Sequence, residues 1–167
     1  WYSHKFRGPG LRYEISVCIR TGKIVSYNGP FECGRWPDLN IFRNKLKGML
    51  TVGEKVVADR GYRGDDKVLT PDDYINRAHQ KAMSNARARH ETINRRLKTW
   101  GILKQFFRNK LDKHHIAFRS ALVLEEIAIE NGRPPFQIAH MRDLNLDRAI
   151  SQSTLVSNIY SLEKTLD

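Results

Sequence analysis

Long apolar runs are missing from this chain. No stretch approaches 18 consecutive hydrophobic residues, so nothing in it reads as a membrane-spanning helix. Cysteine is scarce too. Cys18 and Cys33 are the two present; neither has a C-x-x-C partner, and their spacing does not fit a zinc knuckle. A disulfide scaffold is thereby excluded, and a reduced intracellular protein is the default expectation. Internal repeats and low-complexity tracts are absent, as are RNP-like, KH-like and zinc-finger patterns. Nothing reads as a cleavable leader. The chain starts at Trp1 without Met, as expected of a piece of a longer product.

Acidic residues are also in short supply: 18 Asp and Glu face 29 Lys and Arg, for a net charge of +11. The imbalance is local. Arg87 to Arg119 holds ten basic and two acidic residues, whereas Ser120 onward holds four basic and seven acidic. Trp100, Phe106 and Phe107 interleave with the basic block. A basic face of this kind expects a polyanionic partner, and nucleic acid fits it best. A merely solvated basic surface would have the same composition.

The 167 residues, 40% of them hydrophobic, suit one domain with its own core plus a tail. Leu11 to Arg20 alternates Tyr13, Ile15, Val17 and Ile19 on one face and reads as a strand. With Lys23 to Asn28 across the Thr21-Gly22 turn it predicts a β-hairpin. Pro37 or Asp38 opens a helix through Leu39, Phe42, Leu46 and Met49. Lys55 to Asp59 is a third strand, and Val68 to Thr70 a short fourth. Residues 72–85 are polar and carry little signal. Ala86 to Trp100 is a helix with Ile93, Leu97 and Trp100 on one stripe. Ile102 to Lys113 is a basic connector with Leu103, Phe106 and Phe107 buried. His114 to Asn131 is a strongly apolar helix stopped by Gly132 and Pro134-Pro135. From Gln137 the pattern loses contrast, so residues 137–167 are expected to be a loosely attached helix or tail. The order predicts a mixed α/β fold.

Two segments carry chemistry. GEKVVADRGYRG ends a short apolar strand on Asp59 at a glycine-rich turn, a position where open α/β sheets place ligands. RARHETINRRLK sets Glu91, 32 positions later, among Arg87, Arg89, Arg95, Arg96 and Lys98. One acid from a strand end and one from a basic helix make a hard-metal site facing a polyanion. The structural alternative is an Asp-Arg-Gly turn and an i,i+4 Glu91–Arg95 pair. Spacing alone leaves both open. Arg87, Glu91 and Arg95 share a helix face that would look toward the metal. Arg89 and Arg96, on neighbouring faces, are candidate phosphate contacts. His90 reads as a surface or phosphate-contacting residue.

The segments WYSHKFRGPGLRYEISVCI, GPFECGRWPDLNIF, VVADRGYRG, LTP and RARHETINRRLKTWGILKQFF, in this order, resemble the catalytic domain of DDE-type transposases. They are similar to the DDE superfamily endonucleases of the IS5 and Harbinger groups. The resemblance covers residues 1–136. It implies an α/β fold: an RNase H-like mixed sheet flanked by helices. It implies metal-dependent phosphodiester cleavage and strand transfer on DNA, with Mg²⁺ or Mn²⁺. Asp59 and Glu91 would be the second and third catalytic and metal-binding acids. Lys5, Arg87, Arg89, Arg95, Arg96 and Lys98 would be DNA-binding, and Asp38 would lie near the site without being a ligand. Further implied partners are a separate DNA-binding subunit or a second copy, and no membrane. The location would be the nucleus in a eukaryote and otherwise the cytoplasm with DNA. The family's first aspartate belongs to a strand ahead of WYSHKF, and this chain has no residues there. Glu14 alternates with the apolar positions of its strand, and Asp65 and Asp66 lie in a turn, so neither replaces it. The sheet is therefore expected to be incomplete at its N-terminus and the fragment to be inactive. A non-catalytic, domesticated DNA-binding module is the alternative.

Overall fold

The computed structural model describes the backbone of residues 2–3, 8–74, 76–136 and 159–165, with side chains at 10–74 and 76–136. Two-residue strands β1 (Tyr2–Ser3) and β2 (Gly8–Pro9) pair with each other at the start. The hairpin then follows as β3 (Leu11–Cys18) and β4 (Ile24–Glu32). Its turn closes through Gly22 N–H to the Cys18 carbonyl at 2.8 Å. Gly22 has a φ of +74°, and Pro135 lies so close that a Cβ there would stand 2.4 Å from its Cγ. Glycine is required on both counts.

The expected single helix after Pro37 is two, α1 (Asp38–Asn44) and α2 (Leu46–Met49). Lys45, at φ −136° and ψ −62°, breaks it. Met49 consequently turns to solvent. Strand β5 (Lys55–Ala58) and strand β6 (Val68–Leu69) pair in parallel. Helix α3 (Arg77–Thr99) begins nine residues earlier than its apolar stripe suggests. Asn76 caps it by accepting the His79 N–H at 2.8 Å. A short α4 (Gly101–Lys104) and the long α5 (His114–Glu130) follow.

The sheet order is β4-β3-β7-β5-β6, where β7 is Ile159–Thr165. β7 runs antiparallel to β3 and parallel to β5, between them. Ile159–Thr165, expected to be helix or tail, is thus the middle strand of the sheet, and β3 and β5 are not left as open edges.

Alternation along the strands sorts the core onto two faces. Tyr13, Ile15 and Val17 of β3 pack with Ile93, Leu97, Phe118, Ala121 and Leu122 under α3 and α5. Val57 of β5 joins that side with Ile19, Ala82, Met83 and Ala86. Val56 and Ala58 face the other way, onto Phe42, Leu46 and Tyr62. Helices therefore cover both faces of a mixed α/β sheet. Some expected core positions are not core. Ile116, Leu124 and Ile127 of α5 are about half exposed, and Phe106 is 82% exposed. Cys18 is only partly buried, whereas Cys33, placed in a turn, is fully so. Among the described residues no helix is long and apolar enough to cross a membrane.

Candidate metal and nucleic-acid site

Asp59 follows the last residue of β5 in extended conformation, and a 3₁₀ turn over Arg60–Tyr62 begins at once. Its Oδ1 accepts the Gly61 N–H at 2.8 Å. Its Oδ2 has no partner among the described residues. A second carboxylate reaches the same glycine. Asp38, first residue of α1 and 4% exposed, approaches Gly61 from the other side. A Cβ at Gly61 would stand 2.4 Å from Asp38 Oδ2 and 2.9 Å from Asp59 Oδ1. Only a hydrogen fits between them, so the glycine of the D-x-G sequence permits the convergence. Asp38 Oδ1 accepts from Arg12 Nη1 at 3.0 Å, and Arg12 also donates to the Trp36 carbonyl.

A third acid lies buried nearby. Glu14, on the face of β3 opposite Tyr13 and Ile15, is 2% exposed. Burial pushes its pKa up to about 8; the Asp38 charge adds to this and Lys45 opposes it. The carboxyl is therefore mostly neutral at pH 7. Tyr62, buried beside them, has its pKa raised well above the ordinary value, by burial first and then by Glu14, Asp38 and Asp59. Negative charge thus gathers at this end of β5. Sequence reasoning set Asp38 nearby but set Glu14 aside, because it alternates with the apolar positions of β3.

The basic helix divides differently from its sequence reading. His90 is fully buried: its Nε2 donates to the Ile15 carbonyl at 3.0 Å, and its Nδ1 accepts from Asn94 at 3.2 Å. It is a buried structural imidazole, not a surface residue. Arg89 is 2% exposed and donates to the carbonyls of Ile19 at 2.5 Å, Arg20 at 3.0 Å and Phe136 at 3.0 Å. The expectation of a phosphate contact at Arg89 is corrected accordingly. Arg96 is likewise engaged, donating to the carbonyls of Arg133 at 2.6 Å and Pro134 at 3.2 Å. These two arginines hold the chain beyond α5 against α3. Arg87 and Lys98 are partly exposed and Arg95 is exposed. Lys5 lies outside the described residues.

Glu91 is exposed and makes no hydrogen bond or ion pair among the described residues. The i,i+4 pair with Arg95 is not formed. Because His90 is bonded to Ile15, α3 crosses the sheet one residue from Glu91 at the level of Ile15. β7 separates β3 from β5, so Ile15 and the end of β5 lie roughly 10 Å apart in the sheet, two strand spacings. Among the described residues no group of three His, Cys, Asp or Glu side chains stands close enough to hold a metal ion.

A strand-end aspartate beside a buried aspartate, with an exposed glutamate on a basic helix of the same domain, suits divalent cations and phosphate. The family model described as DDE superfamily endonuclease matches residues 1–125. The chain belongs to this family. Comparison with curated proteins and with solved structures finds no match. DDE superfamily endonucleases are a class of the transposase type that acts on DNA and generally uses divalent metal.

Proposed function

We propose that this DDE superfamily endonuclease cleaves phosphodiester bonds in DNA and transfers strands, with Asp59 and Glu91 as metal-binding catalytic acids; this departs from the inactivity expected of the fragment, because a strand, β7, stands between β3 and β5. The observation that carries the reading is the pair of incompletely used carboxylates. Among the described residues, one Asp59 oxygen at the end of β5 and the Glu91 carboxylate on α3 have no hydrogen-bond or ion-pair partner, although basic residues surround Glu91. The turn at Gly61, where Asp59 and Asp38 converge, offers carboxylate oxygens, the ligands that hard cations take. Asp59 and Glu91 would hold Mg²⁺ or Mn²⁺, which when bound activates the attacking oxygen and stabilises the leaving 3′-oxygen. Arg87, Arg95 and Lys98 would meet flanking phosphates, giving affinity that falls with salt. Phe106, exposed among Lys104, Arg108 and Lys110, offers a ring on which an unpaired base can stack.

Sheet order supports an RNase H-like fold. The resemblance calls for a central strand paired on both sides, and β7 takes that position between β3 and β5. With DNA as substrate the protein would work in the nucleus of a eukaryote, and otherwise in the cytoplasm with DNA. A second copy or a separate DNA-binding subunit would supply target choice.

The test is nicking of supercoiled plasmid in Mn²⁺. Asp59→Asn is expected to lower nicking about 100-fold or more while leaving DNA binding intact. Asp66→Asn, at a residue 86% exposed, should change neither. Equal nicking by the Asp59 variant overturns the assignment. A second reading, the non-catalytic DNA-binding module, is favoured by the missing three-acid cluster among the described side chains. It predicts salt-sensitive DNA binding with no nicking by any form.

A further inference from the structure

We propose that Arg60 and Arg63 bind the DNA backbone next to Asp59, and that Asp72 occupies them in the free protein as a stand-in for a phosphate. The inference rests on the reading above that this domain binds DNA, and adds two contacts to it. Arg89 and Arg96, expected among those contacts, are bound to carbonyls instead. The turn after β5 carries basic groups that do face solvent: Arg60 is 71% exposed and Arg63 62%. Arg60 directly follows Asp59 and opens the 3₁₀ turn, and Arg63 closes it. Residues three apart on such a turn eclipse one another, so both side chains leave on one side. Tyr62, between them, is 1% exposed and packs with Phe42, Leu46 and Val56, which anchors the turn in the core.

One carboxylate meets both arginines. Arg60 Nε stands 3.3 Å from Asp72 Oδ1, and Arg63 Nη2 contacts Asp72 Oδ2. Asp72 lies in the turn Pro71–Asp73 after β6. β6 pairs in parallel with β5, so both turns leave the carboxyl ends of adjacent strands, where open α/β sheets bind ligands. The turn does not need Asp72 for its own closure. Asp73 closes it, its Oδ2 accepting the Thr70 N–H at 2.7 Å and the Thr70 hydroxyl at 2.8 Å. Two oxygens sharing one negative charge between two guanidinium groups are what a phosphodiester also offers. Exposed ion pairs of this kind add little stability, so a phosphate can replace the carboxylate.

Binding of the full chain to a short fluorescent DNA duplex, followed by anisotropy over a salt series without metal, tests the assignment. The forms compared are wild type, Arg60→Ala, Arg63→Ala, Asp72→Asn, Asp66→Asn, and Asp72→Asn combined with both alanines, each checked for thermal unfolding. Each single alanine is expected to weaken binding and to lower the slope of log K against log salt by about 0.9. Asp72→Asn should bind DNA about three- to fivefold tighter. Asp66→Asn removes the same charge at a residue 86% exposed, and should change affinity less than about twofold. The gain from Asp72→Asn should vanish when both arginines are alanine. Asparagine keeps the shape of Asp72, so that gain is measurable even where an alanine form does not fold. Asp72→Asn binding no tighter than Asp66→Asn, or folded alanine forms with the wild-type affinity and slope, overturns this inference and leaves the DNA reading intact. A wild type without salt-sensitive DNA binding overturns both.

Discussion

Glu14 shows what burial does to an acid inside this fold. Its pKa of about 8 in the fold compares with an ordinary value of 4.5. Between those values the native state keeps a proton that the unfolded chain releases. Stability therefore falls as pH rises through this window, by about 1.4 kcal/mol per pH unit at most, and levels off above it. Glu14→Gln removes that slope. Chemical denaturation should find the variant and wild type equally stable near pH 4, with the variant's advantage growing up to pH 8. A constant difference across that range would mean that Glu14 titrates normally. Asp65 behaves oppositely. Burial alone would raise its pKa, but bonds from Lys47 and Arg43 and the Lys67 N–H bring it down to about 2. Its Oδ2 accepts from Arg43 at 2.9 Å and Lys47 at 2.8 Å, which ties α1 and α2 to the loop before β6. Replacing Asp65 would damage the fold, so Asp66 is the control for Asp59.

At the scale of elements, α3 is both a cover for the sheet and a source of charge. Residues 86, 90, 93 and 97 fall at helical spacing on its buried stripe. That periodicity was the signal that His90 belongs inside, and its charged neighbours obscured it. Arg89 could not be read from sequence, because its partners are carbonyls at the hairpin turn and at Phe136, distant along the chain. The hairpin, β5 and the C-terminal half of α3 were legible because their patterns are local and high in contrast. The N-terminal half of α3 buries only small or flexible residues, Ala82, Met83 and Ala86, and gives little contrast. β7 was illegible for another reason: its seven residues gain their place from strands more than a hundred positions away. These roles separate by mutation. Arg89→Ala leaves three carbonyls without their donor and should cost about 3 kcal/mol of stability in denaturant titration. Arg95→Ala should leave stability within about 0.5 kcal/mol but reduce the slope of log K against log salt by about 0.9 in DNA binding. An Arg89 variant as stable as wild type would contradict the staple.

For the whole molecule, topology and charge meet at one end of the sheet. The middle strand comes from the C-terminus, the turn after β5 brings two aspartates to one glycine, and the basic helix crosses above. Local motifs in the sequence singled out Asp59, Glu91 and the basic belt as candidates. It did not show that two arginines of that belt are structural, nor that the chain's own end fills the sheet. The most direct test of a cation at this end is paramagnetic broadening of the backbone amide NMR spectrum by substoichiometric Mn²⁺. The account predicts that amides of Asp59, Gly61, Ile15 and Glu91 broaden first, while those of Val123 and Ile127 on the far side of α5 stay sharp. Broadening that spares Asp59 and Glu91, or that spreads evenly over the exposed acids, would contradict it.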